Sequence, residues 1–146
     1  MRTLNKLICF GGLLVLVSTI PAMAQIANQV TFEAPFAFYA GNAKLPAGSY
    51  RVTQPDANDQ LLLVESADGV HSVFVEYVPV DSAEPSKKSE VTFKKYGSTD
   101  FLNSISVQGD DSGMKILQTK AEQKAAKTAT ASTHSLAASN GTQAAR

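Results

Sequence analysis

Ser112-Gly113-Met114-Lys115 has the S-x-x-K spacing of penicillin-recognising serine enzymes, so Ser112 would be the nucleophile and Lys115 its neighbouring amine. Those enzymes are larger and add S-D-N and K-T-G elements, neither of which occurs in this chain. Asp56, Asn58 and Asp59 invite a calcium reading. An EF-hand loop, however, needs an acid or Asn at its fifth position and glycine at its sixth, where Gln60 and Leu61 stand. His71 has no carboxylate at a ligand spacing, and His134 lies in a run of small polar residues. The nucleophile elbow G-x-S-x-G, the zinc-binding H-E-x-x-H and a glycine-rich phosphate loop are all missing. The expectation is a non-enzyme with no catalytic residue, no cofactor and no metal site.

The first two dozen residues set the address. Arg2 and Lys6 precede an uncharged apolar run, Leu7–Ile20, of 14 residues, and Ala22-Met23-Ala24 supplies the small residues a signal peptidase reads. A membrane span needs roughly 20 apolar residues. The pattern predicts a signal peptide over 1–24, cleavage before Gln25, and an exported product, periplasmic or extracellular. Cys9 sits far ahead of the cleavage site, which speaks against an acylated anchor, and the chain beyond it has no cysteine. Thiol chemistry and cysteine-based zinc sites are thereby excluded.

Removing Arg2 and Lys6 turns 13 basic and 13 acidic residues into 11 against 13. A weakly acidic chain whose lysines come only in pairs, Lys87-Lys88 and Lys94-Lys95, lacks the electrostatic footprint of nucleic-acid binding. The expected partner is an unknown protein or cell-surface material, with no membrane span once the signal is gone.

The elements that follow alternate with the period of strands. Val30, Phe32, Ala34, Phe36, Phe38 and Ala40 take every second position, with Pro35 suggesting a bend or a break. Leu45-Pro46-Ala47-Gly48 reads as a turn into a strand carrying Tyr50 and Val52. Leu61–Val64 is apolar without alternation, as in a strand buried on both faces, and Asp68-Gly69 is a hairpin signal leading into Val70–Val80. Asp81–Ser89 is a polar loop suited to contact. Val91 and Phe93 share one face of the next strand, while Lys94 and Lys95 would discourage pairing if it lies at a border. Phe101, Asn103, Ile105 and Val107 alternate after that, and Met114–Gln118 forms a last short strand. Thr119 and Glu122 have capping-box spacing for a helix from Lys120 to about Lys127.

Two runs carry a resemblance. Phe36-x-Phe38-x-x-Gly41-x-x-x-Leu45-Pro46-Ala47-Gly48-x-Tyr50-x-Val52 is followed by Val91-x-Phe93-x-x-Tyr96-Gly97-x-x-x-Phe101-Leu102. Together they resemble a family of small exported bacterial proteins, acidobacterial in type and of unassigned function. The resemblance covers about Val30 to Lys124. It implies an exported β-domain and brings no catalytic residue with it.

The expected organisation is a signal peptide (1–24), a short lead (25–29), a β-domain with a terminal helical turn (30–127) and a disordered low-complexity tail (128–146), whose composition cannot offset the entropy of ordering. The fold class is all-β, a single antiparallel sandwich or barrel-like domain of six to eight short strands, with the sandwich ranked first. The leading functional expectation is an exported non-catalytic module that contacts a partner. The alternative is a carrier of a small apolar ligand, with Phe32, Phe36, Phe38 and Tyr50 lining its cavity.

Overall fold

The structure, a computed structural model, describes residues 28–56 and 60–142. The segment expected to be a signal peptide, Cys9 with it, lies outside the described residues, as do residues 57–59, which include the Asn58 and Asp59 of the calcium reading. Alternation gives each strand one apolar side, and these sides face a common interior. β1 (Asn28–Ala34) buries Val30, Phe32 and Ala34. It stops where Pro35 cannot donate to a ladder, and the chain resumes as β2 (Phe38–Ala40). Gly41, at φ +59°, turns it into β3 (Ala43–Leu45). After Pro46 comes β4 (Gly48–Thr53), with Tyr50 and Val52 inside.

β5 (Leu61–Ser66) alternates after all. Leu62, Val64 and Ser66 are buried and their neighbours half-buried, because its second face is the outer wall rather than another layer. The Asp68-Gly69 hairpin returns the chain as β6 (Ser72–Asp81), and the Asp81–Ser89 loop leads to β7 (Glu90–Tyr96). β8 (Thr99–Ser106) pairs with β7 through a bulge. Thr92 faces Ser104 and Phe93 faces Leu102, leaving Asn103 as the extra residue. The sequence alternation therefore breaks at this point: Leu102 goes inside and Asn103 does not. β9 (Ser112–Ile116) and α1 (Lys120–Thr128) follow. Thr119 caps α1 by accepting from the Glu122 N–H at 3.4 Å.

Eight strands close into an antiparallel barrel in the order β1-β4-β5-β6-β9-β8-β7 and then β10 (Ala131–Thr142), which returns to β1. The barrel, not the first-ranked sandwich, is the architecture. β2 and β3 form a hairpin attached to the start of β8, with β2 parallel to it.

β10 corrects the disorder expected of the tail. Ala131–Ala137 pair with β7 and Ala138–Thr142 with β1, so the β-domain runs to Thr142 instead of ending at 127. The physical reason lies in the neighbours. Without β10, two long strands would present unpaired N–H and C=O groups, and a small-residue segment satisfies both edges at once. Its inward positions, His134, Leu136 and Ala138, are half-buried against the core. Small side chains suit a space already filled by rings: Ala138 lies opposite Phe32. The same strand places β7 between two partners, so Lys94 and Lys95 guard no sheet border.

Candidate functional site

Phe32, Phe36, Phe38 and Tyr50 do come together, because the break at Pro35 turns the chain across one end of the barrel. Phe38 lies 5.1 Å from the Tyr50 ring centre, 5.2 Å from Phe93 and 6.0 Å from Phe32. Phe36 packs edge-on to Phe93 at 5.3 Å. Phe38 and Tyr50 are 1% and 2% exposed. The Tyr50 hydroxyl donates to the Pro46 carbonyl at 2.5 Å. Burial, and after it the negative charge of Asp68, pushes the Tyr50 phenol above its ordinary value. The rings thus occupy one another's space, and their offset and edge-on contacts are those of a packed core.

Toward the other end, Val30, Val52 and Leu62 floor a cavity of about 180 Å³. Tyr77 closes its side, its hydroxyl accepting from Gln54 Nε2 at 2.8 Å. Small-molecule sites are usually about 300–1,000 Å³, so this mouth holds only a few atoms.

The S-x-x-K pair is not assembled. Both residues lie on β9, an odd number of positions apart, and alternation sends them to opposite faces. His71 is exposed beyond the Asp68-Gly69 hairpin. There Ser66 Oγ and then the Val70 N–H donate to the Asp68 carboxylate and hold its pKa below the ordinary value. This is turn chemistry. Among the described residues, no three His, Cys, Asp or Glu side chains converge on a metal position.

Two polar contacts escape a linear reading. Asp100, at the start of β8, is 3% exposed, and its Oδ1 is buried without a hydrogen-bond partner. His134 Nε2 of β10 stands 3.3 Å from that oxygen, and Lys95 Nζ is 3.9 Å from Oδ2. The His134 ring lies stacked against Phe93 at 5.8 Å and edge-on to Phe36 at 5.2 Å. Beside this cluster, buried Glu122 of α1 accepts from Gln118 Nε2 at 3.2 Å and from the Tyr96 hydroxyl at 3.5 Å. Burial, then the Glu122 charge, raises the Tyr96 pKa. Glu122 therefore anchors α1 to β7 instead of completing a capping box. The signal available for His134 was the two-residue spacing of His134, Leu136, Ala138 and Asn140.

No protein-family profile, curated protein or solved structure matches the chain.

The remaining feature is the surface at the barrel end away from α1. The loop between β6 and β7 is almost wholly exposed, yet its backbone is tied down. The Ser82 and Ser86 N–H groups donate to the Asp111 and Asp110 carbonyls at 2.6 and 2.8 Å, and the Gly109 N–H returns to Ser86 at 2.9 Å. At its base, buried Ser89 donates to Asn140 Oδ1 and accepts from the Gln108 N–H at 2.9 Å. Glu84, Lys87 and Lys88 point outward from this frame.

Proposed function

We propose that the chain is an exported, non-catalytic β-module that contacts protein or cell-surface material through the Asp81–Ser89 loop. One observation carries the reading: a charged, exposed loop is held in a single shape by backbone hydrogen bonds to the Asp110–Asp111 turn. A loop ordered in advance loses less freedom when it docks. The separation of Ser112 from Lys115 across β9 supports the non-catalytic part. Mutual packing of Phe32, Phe38 and Tyr50, with Phe36 seated on Phe93, favours contact over carriage of an apolar ligand.

The test is site-specific photo-cross-linking in the native envelope, with the probe at Lys87 and a control probe at exposed Gln123 of α1. A discrete adduct from Lys87 alone is expected. No adduct at Lys87, or the same adducts from both positions, refutes the proposal.

A further inference from the structure

On the outer wall of the barrel, β8 and β9 share only two register pairs, and between them runs an open groove of about 360 Å³. That volume falls within the usual range of small-ligand sites, about 300–1,000 Å³. The fold builds the groove from three local events. The bulge opposite Thr92/Phe93 adds Asn103 to β8, beside Ser104. Lys115 of β9 stands opposite Ser104, and Lys94 lies along the neighbouring β7. Gly113 puts no side chain where alternation points outward. A Cβ there would meet the Ile105 and Val80 carbonyl oxygens at 3.7 Å, so the floor is bare backbone. Ser82, from the pinned loop, forms the far wall.

The charge balance of the groove is one-sided. No acidic side chain lines it. The Lys94 and Lys115 side chains have no ion pair or hydrogen bond among the described residues. Between the two cations and the loop lies a row of hydroxyl and amide groups that both donate and accept. Asp81 and Asp111 flank Ser82 at the other end. A ligand presenting only anionic groups would meet repulsion there, whereas one that carries hydroxyls beside its carboxylates can turn those hydroxyls toward the aspartates.

We infer that this groove binds an acidic polysaccharide, with carboxylates on Lys94 and Lys115 and sugar hydroxyls along Asn103, Ser104 and Ser82. The inference rests on the contact-module reading and names the class of its ligand.

Titration calorimetry of the exported chain with polygalacturonate, its methyl-esterified form and poly-glutamate tests it. Binding to polygalacturonate alone is expected. Lys94→Gln combined with Lys115→Gln should weaken binding about tenfold or more through loss of charge-assisted contacts, with melting unchanged. Gly113→Val should also weaken binding by filling the floor. Should it unfold the chain, the lysine pair still decides the matter. Failure to bind polygalacturonate, equal binding of the esterified form or of poly-glutamate, or undiminished binding by the double variant overturns the inference. If the Lys87 adduct persists despite such a failure, the groove assignment alone falls.

Discussion

His134→Ala tests the seating of β10 with a single side chain. The substitution removes a ring stacked on Phe93 and edge-on to Phe36, contacts worth about 0.5–1.5 kcal/mol. It also takes His134 Nε2 from 3.3 Å of the buried Asp100 Oδ1, an oxygen already without a hydrogen bond, and leaves Lys95 3.9 Å from Oδ2. Stranding such a group costs about 1–3 kcal/mol. The lower half of that range applies, since the His134 and Lys95 side chains are 35% and 44% exposed and water screens them. The sum is about 1.5–3.5 kcal/mol, or a melting temperature lower by about 6–15 °C for a domain of this size. Asp100→Asn removes the stranded charge beforehand. In that background His134→Ala should cost only about 1 kcal/mol, the share of the ring contacts. Thermal and urea denaturation of the four proteins in the cycle measure the difference. A His134→Ala variant within about 0.5 kcal/mol of the parent would mean that residue 134 sits in water, and the placement of β10 would be refuted.

Two phenylalanines separate interior from exterior. Phe38→Ala, at 1% exposure, should destabilise by about 3–5 kcal/mol, and Phe74→Ala, at 60%, by about 0.5 kcal/mol or less in the same urea titration. Equal costs would contradict the packing described. Raised pKa values at Tyr50 and Tyr96 mean that the folded chain holds these phenol protons more tightly than the unfolded one. Their contribution is therefore complete below about pH 10 and is lost as pH rises through the folded-state values. Melting temperature should fall on that alkaline side, less steeply in Tyr50→Phe and Tyr96→Phe, and unaltered slopes in both would disprove it.

Local chemistry made several elements legible. Pro35 broke the first apolar stripe into β1 and β2, Asp68-Gly69 made its hairpin, and Thr119 capped α1. The barrel was less legible, because strand patterns state which faces are apolar and leave open whether the sheet rolls shut. The bulge at Asn103 was invisible because it arises only against Thr92 and Phe93 on the neighbouring strand. β10 was hidden for a similar reason. Alanine, serine and threonine carry little hydrophobic signal, and the segment is a strand because β1 and β7 offer it two ladders. With that strand unseen, the meeting of His134 and Asp100 could not be read either. Phe32, Phe36, Phe38 and Tyr50 were grouped as the lining of an apolar-ligand cavity, and the alternation could not show that Phe32, Phe38 and Tyr50 pack on one another while Phe36 packs on Phe93.

The contact between Thr31 and Ser139 spans 108 positions along the chain. Closing a loop of that length precedes any reward from the pairing it permits, so assembly of the seam belongs to the slow class of topologies, on the order of milliseconds to seconds. Until the last strand arrives, the first and seventh each hold an open ladder that any extended peptide could occupy. A chain in which β10 is displaced would thus offer two adjacent edges to a neighbour's strand.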